Sequence, residues 1–216
     1  RATRRRPEVG GGSVTALPIL ETVEQDVASY VPTNLISITD GQVLLDTDLA
    51  ARGAMPAIDV GRSVSRVGGR AQSPALRSVA ERLRLDVAQF EELERFARFG
   101  ADLDAETEAT LRRGRRVRAI LTQDALETVD EGEQWATTFA AAEGLLDDVD
   151  AAALDAAQGA IREAMRTRHR DLADRIRSGA ALADDDREAA RTWMRTVIRE
   201  VRAEQGDGGP AEGATS

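Results

Sequence analysis

Residues 73–100 read SPALRSVAERLRLDVAQFEELERFARFG, and their period decides the architecture of most of the chain. Ser73 is suited to cap a helix and Pro74 to occupy its first position, where a missing N–H costs nothing. Leu83, Val87, Phe90, Leu93, Phe96 and Ala97 then recur at threes and fours, giving one apolar helical face, and Gly100 is positioned to end it. Helical periodicity continues downstream. Asp104 is a good N-cap for a second helix, with Glu106 and Glu108 near its positive end and Arg112, Arg113, Arg115, Arg116 and Arg118 toward its negative end, as the macrodipole favours. Leu111, Val117, Ile120 and Leu121 would form its apolar stripe. After a break over 123–130, Trp135, Phe139, Leu145 and Leu146 mark a third helix. Leu154, Ile161, Met165, Leu172 and Ile176 mark a fourth, ended by Ser178 and Gly179, and Trp193, Met194, Val197, Ile198 and Val201 a fifth, capped by Asp184. Stripes of this kind face a common core, so a bundle is expected over 73–204. Residues 205–216 (QGDGGPAEGATS) are polar and Gly-rich, and a disordered tail is expected there.

Upstream of Ser73 the texture differs. An arginine cluster gives way to Gly10, Gly11 and Gly12, and Val14–Leu20 (VTALPIL) is a short apolar run suited to a strand buried on both faces, although Pro18 belongs at an edge or strand end. Val31–Ile38 (VPTNLISI) leads into Thr39, Asp40 and Gly41, a turn signature. Gln42–Leu45 resumes the apolar pattern and Ala57–Val60 is a further short strand candidate. Up to about Gly69 the chain thus reads as a few short strands with loops between them, too few for a complete sheet domain. Buried-strand character in so short a piece implies neighbouring strands that it does not contain.

Composition limits the chemistry. All 29 basic residues are arginine, so a Walker-type phosphate loop and Schiff-base catalysis, both of which need lysine, are excluded. No cysteine is present, which removes disulfides, thiol nucleophiles and cysteine metal sites. The single histidine, His169, lies in the charged run RTRHRD and reads as a solvated helix residue. No metal-ligating set is expected. A net charge of −9 argues against generic nucleic-acid binding, which relies on a basic footprint. No apolar run approaches a membrane span, and the basic start lacks the apolar core of a secretory signal. The chain does not begin with methionine, so residue 1 need not be the first of the gene product.

Within this frame the stretch Val60–Gly69 (VGRSVSRVGG) offers the main functional candidate, Arg66. Glycines on both sides let the backbone turn sharply, and a guanidinium keeps its charge while matching phosphoryl oxygens two at a time. On spacing alone the commoner reading is a solvated or helix-capping arginine. Ser37, 29 residues earlier, reads by itself as a serine bonded to local backbone.

The motifs GGGSVTALPILET, YVPTNLISITDGQ, PAIDVGRSVSRVGGRAQ and FARFGADLD, in that order, closely resemble the alpha subunit of F-type rotary ATP synthases, and SGAALADDDREAARTWMRTVIREV resembles that subunit's last segment. The resemblance covers nearly all of this chain but only about the C-terminal two-fifths of a complete alpha subunit. It implies a mostly α chain with a small β part: residues 1–72 as the trailing strands of an incomplete RecA-like α/β nucleotide-binding domain, followed by the helical bundle. The phosphate loop of that family lies upstream of the matched portion. The resemblance further implies a non-catalytic subunit alternating with catalytic beta subunits around the central-stalk gamma subunit. The complex would couple proton or sodium translocation to ATP synthesis and hydrolysis. ATP or ADP with Mg2+ would sit mainly on beta. The head would lie peripherally on the cytoplasmic face of the bacterial plasma membrane, with membrane contact only through the assembled complex and no nucleic-acid partner.

Carried over residue by residue, the arginine of SVSRVG that reaches across the interface toward the terminal phosphate is Arg66. The serine of SITDGQ is Ser37, and Gly41 keeps that loop close. Two positions depart from the family pattern. The adenine-side segment resembling KQGQ is TQDA here, retaining Gln123 but placing Ala125 at the second glutamine, and the arginine of GIRPA is Met55. The chain's own non-catalytic nucleotide site is accordingly expected to be incomplete. Divergent alpha-type subunits of alternative ATPase operons share the pattern. The competing expectation is a stand-alone helical interaction module, or a truncated remnant, with no nucleotide chemistry.

Overall fold

The computed structural model describes residues 2–4, 6–97 and 104–206. Among these the chain is mostly helical. Its helices are α1 (Tyr30–Ile38), α2 (Thr47–Ala51), α3 (Pro74–Ala97), α4 (Ala105–Ile120), α5 (Glu131–Ala142), α6 (Leu154–Thr167), α7 (Arg170–Arg177) and α8 (Asp184–Gly206). Strand β1 (Ala2–Arg4) pairs antiparallel with β2 (Ser13–Thr15), Ala2 opposite Thr15. Strand β3 (Gly41–Gln42) pairs antiparallel with β4 (Val64–Ser65), Gly41 opposite Ser65.

The helices form where their caps and stripes direct. Ser73 Oγ accepts from Leu76 N–H at 3.3 Å ahead of α3, Asp104 accepts from Thr107 N–H at 2.8 Å ahead of α4, and Asp130 accepts from Gly132 N–H at 2.9 Å ahead of α5. At α8 the cap position is Ala183. Its carbonyl accepts from Arg187 N–H at 3.2 Å, while its own N–H donates to the Asp186 carboxylate at 2.9 Å, the reaching-back half of a capping box. Helices α3 to α8 enclose one core in which Trp135, Leu146, Ile161, Met165, Ile176 and Met194 are fully buried. Trp135 and Phe139 stack at 4.8 Å between ring centroids. The one buried side-chain amide among the described residues, Gln158, donates to Ile120 O at 3.1 Å and so satisfies a carbonyl at the end of α4.

Several expectations need correction. The fourth helix is two helices, α6 and α7, broken at Arg168 and His169. Both of those N–H groups donate to Ala164 O, and the chain restarts in α7 without glycine or proline to announce the break. His169 is not a solvated mid-helix residue: its ring stacks on Trp193 at 4.4 Å, and partial burial, with Arg168 nearby, lowers its pKa. Leu145 and Leu146 lie beyond α5, after Gly144 at φ +70°, yet Leu146 still reaches the core. Phe96 and Leu121, expected in apolar stripes, are largely exposed at helix ends. Gly100 lies outside the described residues, as does the expected tail beyond Gly206.

The upstream segment differs most from expectation. Val14–Leu20 is not a buried strand: only Ser13–Thr15 pairs, and Leu17 and Ile19 are 83% and 98% exposed. With a single short partner there is no sheet to cover either face. Val31–Ile38 is helical within α1. Pro32 sits in the first turn, where its lack of an N–H is harmless, and Ser29 O accepts from Thr33 N–H at 3.1 Å. Of Ala57–Val60 only Ile58 forms a bridge, to Leu45.

The contact of α3 with α4 depends on Gly114. A Cβ built there would stand 2.2 Å from the Phe90 ring, itself 1% exposed. Gly114→Ala should therefore cost about 1–3 kcal/mol through overpacking. Gly159→Ala in α6, where a Cβ meets nothing within 4 Å, should be neutral or gain up to about 1 kcal/mol from helix propensity. Chemical denaturation of the two variants beside the parent checks both signs. Acid should act at α8: the Arg175 hydrogen bond, helped by Ala183 N–H, lowers the Asp186 pKa to about 2. A depressed carboxylate contributes stability that is complete above its unfolded value near ~4 and lost as pH falls toward the folded value. Stability measured across that window should fall less steeply in Asp186→Asn.

Candidate functional site

Arg66 follows β4 directly, and its placement begins with the β3–β4 pair. Arg66 N–H donates to Asp40 O at 2.8 Å, continuing the pairing one step past Gly41 and Ser65. Gly41 permits that approach: a Cβ there would lie 2.5 Å from Val64 O and 2.9 Å from Ser65 Cα, both backbone atoms that cannot swing aside. The glycine expected to keep its loop close is thus required by backbone contact.

The Arg66 guanidinium lies against the end of α1. Nη1 donates to Ser37 O at 3.4 Å and Nη2 to Ile36 O at 3.3 Å. These are long bonds to carbonyls at the negative end of a helix, a favourable position for a cation. Two contacts leave the rest of the five guanidinium donors uncommitted. Among the described residues Arg66 forms no ion pair with a carboxylate, and the residue is exposed. Arg66 and Ser37, 29 positions apart, are therefore direct neighbours. The Ser37 hydroxyl donates to Asn34 O at 2.7 Å, the local backbone bond expected of a helical serine, and what it offers Arg66 is its carbonyl.

Spacing alone did not single out the residues that brace this loop. Arg62 N–H donates to Asp59 Oδ1 at 2.8 Å, its Nε to Asp59 Oδ2 at 2.5 Å and its Nη2 to Asp46 Oδ2 at 2.8 Å. Asp46 in turn caps α2, accepting from Asp48 and Leu49 N–H. Burial pushes the Asp59 carboxyl up, but its bonds from Arg62 prevail and hold it below the usual range. The available signal was the Asp59/Arg62 spacing of three, which is too common to single out.

Gln123 does not join Arg66 through any hydrogen bond. Its N–H donates to Met55 O at 2.9 Å and its side-chain amide to Glu127 O. The retained glutamine and one of the two positions that depart from the resembled pattern, Met55, are thereby joined through backbone across 68 residues of sequence. One of the two side-chain N–H donors of Gln123 is used locally, on Glu127 O, and Met55 contributes no polar side chain. At Arg66 the free guanidinium donors fit a phosphoryl group presented from outside the chain. Asp46 and Asp59, the two acids that brace that loop, are taken by Arg62, and among the described residues no group of His, Asp and Glu is arranged to hold a metal ion. Among them, too, no helix is long and apolar enough to cross a membrane.

Comparison with known proteins agrees with this division of the chain. Residues 72–197 match the family model described as ATP synthase alpha/beta chain, C terminal domain, and residues 1–65 match that of the ATP synthase alpha/beta family, nucleotide-binding domain. ATP synthase subunit alpha 2 of Syntrophus aciditrophicus is 50% identical over 198 residues, which cover 92% of this chain and 38% of that protein. ATP synthase subunit alpha 1 of Rhodopirellula baltica is 51% identical over 182 residues, 84% of this chain and 36% of that protein. ATP synthase subunit alpha 2 of Syntrophotalea carbinolica is 47% identical over 217 residues, 100% of this chain and 41% of that protein. The chain spans about two-fifths of the length of these curated relatives.

Because the Gly41 contact is to backbone, Gly41→Ala should force β3 and β4 apart at a local cost of about 1–3 kcal/mol. The Arg66 amide, bonded to Asp40 O, should then exchange with solvent faster by about ten- to a hundredfold, while amides of α5 and α6 keep their rates. Residue-resolved hydrogen exchange reads the difference.

Proposed function

The chain belongs to the ATP synthase alpha/beta family, and from that premise we propose that it acts as the alpha subunit of an ion-translocating ATP synthase, lending Arg66 in trans to a nucleotide site on a beta subunit. The observation that carries the reading is the exposed Arg66 guanidinium, steadied only by two long carbonyl bonds and by no carboxylate. An arginine neutralised by an acid would gain little from a phosphate. One held loosely at a helix end keeps its charge and most of its donors available.

In this reading the beta subunit would hold ATP with Mg2+, whose terminal phosphoryl group passes to water in hydrolysis, or ADP and phosphate, which join with loss of water in synthesis. Arg66 donates to the oxygens of that phosphoryl group and offsets the charge that develops there during transfer. Ser37 holds the guanidinium through its carbonyl and stands beside the same interface, with Gly41 keeping the two loops in contact. Such an arginine supplied across an interface is worth roughly 10³ to 10⁵ in rate, on the order of 4 to 7 kcal/mol. The chain's own site would be non-catalytic, and Ala125 and Met55, which depart from the family pattern, support its being incomplete. The helical domain would form the lower ring around the central-stalk gamma subunit, peripheral to the membrane on its cytoplasmic face.

Since the contact acts in the transition state, Arg66→Ala in the assembled complex should depress steady-state ATP hydrolysis by about 10³-fold or more. Nucleotide binding to beta should change little. Unaltered hydrolysis in that variant would overturn the proposal.

A further inference from the structure

Arg62 is not needed by the reading given so far, yet it makes the densest set of ion pairs in the upstream segment. It lies four residues before Arg66, and its guanidinium joins two pieces of chain that flank the β3–β4 pair: Asp46, following β3, and Asp59, preceding β4. Between them the backbone is cross-linked at each step. Asp46 N–H donates to Ala57 O at 2.8 Å, Asp59 N–H to Leu44 O at 2.9 Å, and Arg66 N–H to Asp40 O at 2.8 Å, while Ser63 Oγ accepts from Leu44 N–H at 3.0 Å. Arg62 closes this ladder at the end away from Arg66.

We propose that Arg62 is a positioning residue for Arg66: by bridging Asp46 and Asp59 it locks the two arms of the β3–β4 hairpin in register and so fixes where the Arg66 guanidinium points. The inference rests on the reading of Arg66 as the residue lent to a partner's phosphoryl group. The pair of strands has only two residues on each side, and a hairpin so short does not hold its register by backbone bonds alone. A third acid sharpens the need for Arg62. Glu91 of α3 lies beside the same turn, its carboxylate 3.9 Å from the position of a Cβ on Gly61, and burial and the nearby Asp59 charge both favour its protonated form. Without the Arg62 cation, Asp46, Asp59 and Glu91 would face one another across the turn, and the arms would separate. Arg95 and Arg118 also act on Glu91, and Arg52 and Arg118 pair with Glu94 on α3, but neither Asp46 nor Asp59 has an ion pair with them among the described residues. Arg62 carries the clamp by itself.

The test uses the assembled complex and four variants: Arg62→Leu, Arg62→Lys, Arg66→Ala and the double Arg62→Leu/Arg66→Ala. Arg62→Leu should assemble normally and lower kcat about ten- to a hundredfold, the scale of a misplaced catalytic group, with KM for ATP unchanged. Arg62→Lys should recover part of that loss, since one ammonium still reaches one of the two carboxylates. In the Arg66→Ala background the Arg62 substitution should cost nothing further, because a residue acting only through Arg66 has nothing left to position. Amide exchange at Arg66 and Leu44 should quicken in Arg62→Leu and not in Arg66→Ala. Full turnover in Arg62→Leu, an equal additional loss in the double variant, or a raised KM with unchanged kcat would each overturn the inference. If Arg66→Ala itself keeps full turnover, the reading of Arg66 fails instead, and the exchange rates still decide whether Arg62 holds the hairpin.

Discussion

Phe90 lying on Gly114 is the contact that sets α3 against α4, and the joining of the upstream segment to the bundle depends on it. The ring can approach the α4 backbone only because no side chain stands between them, and burying it contributes about 1.5–3 kcal/mol. Arg118, one turn along α4, lies over the same ring at 4.8 Å and forms a two-pronged pair with Glu94 on α3 at 3.1 and 3.2 Å. Glu94 also pairs with Arg52 at 3.7 Å. One small stretch of α3 therefore does two things: Phe90 settles the helix against α4, and Glu94 ties the upstream segment to the bundle. With 24 residues, about 36 Å long, α3 is the only described helix that joins both regions in this way.

The two regions differ in what holds them. From α3 to α8 stability comes mainly from apolar burial, supplemented by caps, by the buried Gln158 and Thr137, and by partly buried ion pairs such as Arg113–Asp147 and Arg191–Glu143. Upstream, among the described residues, Ala57 and Pro32 are the only buried apolar side chains, and order comes from backbone ladders, the Arg62 pairs and the Gly41 approach. Arg66 sits in the second region, on the part of the chain with the least apolar support. An arginine that must reach another molecule is well served by such a mounting, because its own chain asks little of it and its neighbours keep it from wandering.

The bundle was largely legible because its signals are local and redundant. Ser73, Asp104 and Asp130 begin helices through bonds made within three residues, and stripes such as Trp135 and Phe139, or Val117 and Ile120, have one periodicity and one destination. Where a signal was missing the reading failed for a physical reason. Nothing in RTRHRD marks the break at His169, which depends on two N–H groups sharing Ala164 O and on a stack with Trp193, 24 residues away. The upstream strands failed differently. VTALPIL and VPTNLISI have strand-like composition, but a strand is a property of a pair, and only Ser13–Thr15 has a partner. Given none, Val31–Ile38 closes its hydrogen bonds internally as a helix.

The same reasoning explains what could be read of the site. Arg66, Ser37 and Gly41 were drawn together by motif resemblance, and the geometry joins them by bonds that sequence could not display: a cation on the carbonyls of Ile36 and Ser37, and a glycine against Val64 and Ser65. Gln123 was drawn in by the same resemblance and is instead tied to the backbone carbonyl of Met55, one of the two positions that depart from the pattern. Both bonds of Gln123 end on backbone carbonyls, Met55 O and Glu127 O, and neither involves the Arg66 loop. The positions that motif resemblance grouped therefore fall into two separate arrangements: Arg66 rests on the carbonyls that end α1 with donors to spare, while Gln123 serves to fasten the stretch after α4 to the loop around Met55.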